Sequence, residues 1–184
     1  MILRLYLIMM NFYKETERLI LRAPTYEDAE ALANLRSTEF VLKYNLYKTC
    51  DKEQIIRELD TFEHILIQLK ESNKIIGCIS IREDDFRYHI DSVVLHAWLT
   101  EENAYKGYMK EALEPVIYNT FVNCQHERIA LQIIADNIAS IRLAEKLSFE
   151  REGYLKRALK NHNDQVFDVV LYSLSREDYL NKIK

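Results

Sequence analysis

Leu99-Thr100-Glu101-Glu102-Asn103-Ala104-Tyr105-Lys106-Gly107-Tyr108-Met109-Lys110-Glu111-Ala112 is the stretch on which the reading of the fold turns. It leaves an apolar run from His89 to Trp98 that reads as a strand. It enters a segment opened by Gly107 in which Met109, Leu113, Ile117 and Phe121 share one helical face, to about Val122. The first N–H groups of a helix have no acceptor within it. With the helix dipole they make a place for an anion. Gly107 has no Cβ, so the backbone can come close to a phosphate there, and Lys106 and Lys110 add local positive charge. A plain turn would use a glycine at the same place, and spacing alone leaves both readings open.

Working outward from this stretch, the upstream half reads as a strand at Arg18–Leu21, interrupted by Pro24, then a helix. Thr25 to Asp28 has capping-box spacing, and Ala29, Leu32 and Leu35 follow at helical intervals. A second helix opens near Asp51, with Ile55, Ile56 and Leu59 inward. The period then shortens. His64–Lys70 and Ile75–Ile81 make a hairpin about the turn Glu71–Lys74, and the strand from His89 to Trp98 follows. Short connections predict antiparallel pairing.

Downstream, Pro115 falls inside the helix opened by Gly107, which predicts a kink. Arg128–Ala135 is a nearly continuous apolar run, as in a strand buried on both faces. Ile138–Leu147 is a helix. Phe149–Leu159 and Val166–Leu174 flank a polar turn at Asn161–Asp164, and Ser175 to Asp178 has the spacing to cap a last helix. The order predicts an α/β fold with helices on both faces of a mixed, mostly antiparallel central sheet of about seven strands.

The bulk numbers agree with one such domain, 13–184, after an N-terminal extension, 1–12. Of 184 residues, 48% are apolar, and only three Gly and two Pro occur, so a core is available and linker material is scarce. The net charge of −4 argues against a nucleic-acid binder, which carries a basic field. Ile2 to Met10 is apolar except for Arg4, too short to span a membrane and without a signal-peptide cleavage site. Met9 and Met10 suggest an alternative internal start. Cys50, Cys78 and Cys124 show no metal-binding spacing and read as buried free thiols of a cytoplasmic protein, with no metal expected.

The decisive stretch resembles the acetyl-CoA loop of GNAT N-acetyltransferases, in the branch of the ribosomal-protein (RimJ/RimL-like) enzymes. The matching residues are Leu99, Glu102, Lys106, Gly107, Tyr108, Glu111 and Ala112. Three further segments resemble that branch in order. They are Thr16–Arg22 with Glu27-Asp28-Ala29, Asn137–Ser140 with Glu145–Phe149, and Glu152–Lys156 with Phe167–Ser173. The resemblance spans about 16–180. It implies the GNAT fold and transfer of acetyl from acetyl-CoA to a primary amine, a protein N-terminus or a small molecule, by direct attack. It implies that backbone N–H groups of Tyr105, Lys106, Gly107, Tyr108, Met109 and Lys110 hold the pyrophosphate. A strand N–H among Ala97, Trp98 and Leu99 would polarise the thioester carbonyl, the usual electrostatic help to acyl transfer. Asn137 would meet the cofactor arm, and Ser140 would donate a proton or a hydrogen bond to the CoA sulfur. On position alone, Asn137 and Ser140 read as the cap and first turn of a helix, and both roles can coexist.

Four positions depart from the family pattern. Tyr105 stands where the first loop glycine is expected, and a Tyr fits only if that residue needs no positive φ. Ser148 replaces another glycine, Val94 a strand glutamate that serves as base, and Ala144 a tyrosine acid. Asp91, three residues from Val94, should face the other way on a strand. His89 and His96 would lie on opposite faces of that strand and titrate near neutrality, or serve as structural histidines. Trp98 and tyrosines such as Tyr105 and Tyr108 line a substrate groove or simply pack. These departures keep two alternatives in view: a non-catalytic CoA-binding regulatory module, and an α/β interaction domain without cofactor. A monomer or homodimer is expected.

Overall fold

The computed structural model describes residues 12–45, 48–59, 63–161 and 163–183. The alternative starts at Met9 and Met10 lie outside them, as does all of the extension except Phe12. The elements run β1 (Tyr13–Glu15), β2 (Leu19–Arg22), a 3-10 turn (Tyr26–Asp28), α1 (Ala29–Arg36), α2 (Glu39–Lys43), α3 (Lys52–Leu59), β3 (Glu63–Leu69), β4 (Ile75–Glu83) and β5 (Ser92–Leu99). A second 3-10 turn (Glu101–Asn103), α4 (Tyr108–Tyr118), a π-helical turn (Asn119–Asn123), β6 (Arg128–Ile134), α5 (Ile138–Lys146), β7 (Glu150–Lys160), β8 (Val166–Ser175) and α6 (Arg176–Lys182) follow. The fold is α/β, and among the described residues the mixed sheet has eight strands. The count exceeds the expected seven because β1 pairs antiparallel with β2, Tyr13 opposite Arg22.

Two compact units divide the chain. One comprises Met1–Ile81 and Ala97–Pro115, the other Arg82–His96 and Val116–Lys184. In the first, β1, β2, β3 and β4 pair antiparallel in that order. Register puts Leu21 opposite Ile67 and Ile67 opposite Gly77. Leu19, Leu21, Ile65, Ile67 and Ile79 are fully buried. The alternate residues Leu66 and Cys78 pack with Leu32 and Ala33 of α1, Ile55 of α3, and Trp98. β4 is accordingly buried on both faces from Ile76 to Ile81. The expected caps are present. The Thr25 N–H donates to Asp28 Oδ2 at 2.7 Å, and Asp51 and Gln54 exchange side-chain bonds at 2.8 and 3.1 Å.

In the second unit, Ser92–Val94 of β5 pairs parallel with Arg128–Ala130 of β6. β6 pairs antiparallel with β8, and β8 with β7. β6 is less buried than its composition suggests: Ile129, Ile133 and Ile134 are buried but Gln132 is exposed. Ser175 caps α6 by accepting the Asp178 N–H at 3.0 Å. Phe121 is fully buried and meets the Tyr179 ring at 5.1 Å. α4 passes through Pro115 to Tyr118 before giving way to the π-helical turn. A proline has no N–H for the carbonyl four residues back, here Glu111. Among the described residues, no helix is long and apolar enough to cross a membrane.

Candidate active site

β5 ends at Leu99, and its exit is pinned. The Thr100 N–H donates to the Ile76 carbonyl at 2.8 Å, and the buried Asn103 side chain donates to Thr100 Oγ1 at 2.8 Å. Tyr105 then adopts φ 61° and Gly107 φ 84°, both left-handed. The condition for accepting Tyr105 therefore fails: it does take the conformation that favours glycine, and its side chain is 84% exposed. The first bond of α4 runs from the Glu111 N–H to the Gly107 carbonyl at 3.1 Å. The N–H groups of Gly107, Tyr108, Met109 and Lys110 precede it and have no acceptor within the helix.

Arg18 ties this loop to the first turn of α4. Its Nε donates to Glu111 Oε2 at 2.7 Å, Nη1 to the Lys106 carbonyl at 3.1 Å, and its guanidinium lies 4.3 Å from the centre of the Tyr108 ring. Glu111 Oε1 accepts from the Thr16 hydroxyl at 2.6 Å and the Arg18 N–H at 2.8 Å. Burial acts to raise the Glu111 carboxyl, but these donors and the guanidinium outweigh it and hold it below its ordinary value. Arg18 and Thr16 escaped the sequence reading as site residues, although both lie in the segment Thr16–Arg22 that carried the resemblance. The cations also differ from expectation. Lys106 is exposed, but Lys110 shares its charge with Glu114 at 2.5 Å.

Beside the loop in the chain, Ala97 is half-buried, while Trp98 and Leu99 are buried. Gly77 makes room for them: a Cβ there would stand 2.3 Å from the Trp98 carbonyl. Trp98 lines a small cavity with Arg36, Glu58, His64, Cys78 and Ser80. Arg36 is buried and paired with Glu58. His64 Nδ1 lies 2.9 Å from Ser80 Oγ, and burial drops the imidazole to about 4. Burial also pushes the Cys78 thiol up to about 12. Only Cys78 is fully buried; Cys50 and Cys124 are half-buried.

The second unit holds the other expected residues. Asn137 caps α5, its side-chain oxygen accepting the Ser140 N–H at 3.2 Å, so the capping role of the pair is realised. Ser140 is half-buried. Val94 is 3% exposed, and Ala144 is buried. His89 does not lie on the strand, since β5 begins at Ser92, and it is exposed with φ 59°. His96 does lie on β5, but burial and then its Arg82 neighbour, 2.5 Å away, lower it to about 4. It is neutral at physiological pH and does not titrate there. Asp91 is engaged with His126 Nδ1 at 2.7 Å.

The loop thus carries a left-handed glycine just before a helix whose first N–H groups have no acceptor within it. The family model for the acetyltransferase (GNAT) domain matches residues 18–150. An uncharacterized N-acetyltransferase p20 of Bacillus licheniformis is 29% identical over 177 residues, covering 89% of this chain and 96% of that protein. The ribosomal-protein-S5-alanine acetyltransferase of Vibrio fischeri superposes with a TM-score of 0.79 at 22% identity, covering 92% of this chain and 99% of that one. RimL, a ribosomal L7/L12 alpha-N-protein acetyltransferase in complex with coenzyme A, does so with a TM-score of 0.77 at 19% identity, covering 89% and 97%. At these identities the two structures show a shared fold. The matched family model spans both the loop and the Asn137–Ser140 turn, and the chain belongs to the GNAT acetyltransferase family.

Proposed function

We propose that this chain transfers acetyl from acetyl-CoA to a primary amine, a protein N-terminus or a small amine, by direct attack of the nitrogen on the thioester carbonyl. The observation that carries the reading is the loop at Gly107, left-handed and opening α4 with its N–H groups unpaired within the helix. The fit to acetyl-CoA rests there: the loop turns on a φ of 84° that a side chain at Gly107 would strain, and the first N–H groups of α4 follow it.

When bound, acetyl-CoA supplies the activated acetyl group. The N–H groups from Tyr105 to Lys110 hold its pyrophosphate, and Lys106 adds charge. A strand N–H among Ala97, Trp98 and Leu99 polarises the carbonyl. Asn137 contacts the pantetheine arm while capping α5. The Ser140 hydroxyl hydrogen-bonds the departing sulfur, a modest role suited to a weak acid. Val94 supplies no base and His96 is too weakly basic, so the proton of the acceptor ammonium goes to a water chain or to a group outside the matched motifs.

The buried Val94 is also the observation that favours a second reading, a CoA-binding regulatory module without turnover. Release of the CoA thiol in the presence of amines separates the two. The solved structures named above act on ribosomal proteins by their titles, so N-terminal peptides of such proteins and polyamines form the first acceptor set. Turnover with one of these, and a Ser140→Ala chain that loses kcat more than KM, is expected. Binding of CoA with no turnover of any amine would leave the regulatory module.

A further inference from the structure

The side-chain hydrogen bonds of Arg18 go to the frame of the loop. Nε and Nη2 meet Glu111 Oε2 at 2.7 Å, and Nη1 donates to the Lys106 carbonyl at 3.1 Å. The planar guanidinium thus ties a side chain in the first turn of α4 to a main-chain oxygen just before it. Glu111 is engaged from the other side by Thr16 and by the Arg18 N–H. Its own N–H binds the Gly107 carbonyl at 3.1 Å. Both peptide groups that flank Gly107 are therefore held by this one pair.

Peptide geometry turns that hold into a direction. The chain has no cis peptide bond among the described residues, so the Lys106 carbonyl and the Gly107 N–H point opposite ways in one plane. Arg18 draws the carbonyl toward itself, and the Gly107 N–H is sent outward. Without that hold, a glycine peptide turns over at little steric cost. The carbonyl would then face an anion, where it repels.

We infer that Arg18 is a positioning residue for acetyl-CoA: with Glu111 it locks the Lys106–Gly107 peptide in the orientation that presents the Gly107 N–H to the pyrophosphate. Arg18 itself makes no bond to the reacting atoms. The inference rests on the reading of this loop as the acetyl-CoA site.

The chain contains three glycines, Gly77, Gly107 and Gly153, so full-length protein labelled with 15N at glycine shows three backbone amide resonances. CoA is the probe, with affinity measured by calorimetry on the same samples. In the unaltered chain CoA should move the Gly107 resonance. Arg18→Lys keeps the charge but not the fork. It should leave the Gly77 and Gly153 resonances in place and shift Gly107 before CoA is added. It should weaken CoA about tenfold, the loss of one charge-assisted hydrogen bond. KM for acetyl-CoA should rise by a similar factor with kcat at saturation little changed, the split expected when binding alone is lost. If Arg18→Lys displaces all three resonances, Glu111→Gln, nearly the same shape, carries the test, with the same pattern expected at smaller size. A folded Arg18→Lys chain, or in its place Glu111→Gln, that binds CoA as the unaltered chain does would overturn the inference. An unaltered chain whose Gly107 resonance ignores CoA would instead overturn the reading of the loop.

Discussion

Three residues near the expected family glycines show how far single positions could be read. Gly107 has a positive φ, 84°. Tyr105 and Ser148 have it too, at φ 61° and 68°, without being glycine. In the sequence both are departures from the family pattern, and Tyr105 is expected to fit only where no positive φ is needed. The backbone instead keeps its shape and bears the strain, because the bonds around it are intact. At Ser148 these are visible: the Ser148 N–H donates to the Glu145 carbonyl at 3.0 Å and the Phe149 N–H to the Ala144 carbonyl at 2.9 Å, a complete Schellman end to α5. A non-glycine residue in this conformation costs about 1 kcal/mol. Ser148→Gly should therefore raise the thermal midpoint by about 2–4 °C, the shift expected of a chain this long; scanning calorimetry of the two chains checks this, and an unchanged or lower midpoint would show that the Ser148 side chain offsets the strain. The histidines were less legible. Nothing in the local sequence showed that β5 begins after His89, or that burial beside Arg82 disarms His96.

At the scale of elements, periodicity and caps located α1, α3, β3, β4, α4, α5 and the hairpin of β7 and β8. What escaped was short. β1 has three residues and α2 five, too few for a period to register. Pro115 lies inside α4, where the sequence places it, and the helix continues to Tyr118 before the π-helical turn. The exit of β5 depends on a contact no local pattern shows, the approach of Gly77 to Trp98. A Cβ at Gly77 would sit 2.3 Å from the Trp98 carbonyl and 2.7 Å from Leu99 Cδ2, and the carbonyl is main chain, so a strand must move. Gly77→Ala should cost about 1–3 kcal/mol, the range for overpacking a filled core. Because Trp98 and Leu99 lead into the loop, the same variant should also weaken CoA. Urea unfolding and CoA titration of Gly77→Ala test both parts, and wild-type values in both would remove this contact from the account.

Across the whole molecule, the net charge of −4 argues against a nucleic-acid binder, and the order of elements was enough for an α/β fold. It could not show which ionisable groups are buried. Glu63 is one: burial pushes its carboxyl up from 4.5 to about 7, and its Oε2 has no hydrogen-bond partner among the described residues. Between those values the folded chain holds a proton that the unfolded chain has lost, so stability falls as pH rises through the window. Glu63→Gln removes this dependence. Its midpoint should exceed that of the unaltered chain at pH 8, with the gap closing toward pH 4.5. A gap independent of pH would show that Glu63 does not titrate there. His64 acts in the opposite sense. It is lowered from 6.5 to about 4, so its contribution is lost as pH falls through that range. We propose that a loop shaped by Gly107 and locked by Arg18 and Glu111 holds acetyl-CoA. Titration calorimetry of the full chain with acetyl-CoA, with CoA alongside, tests it. Saturable micromolar binding at one site per chain is the expected result, and no binding up to millimolar ligand would contradict it.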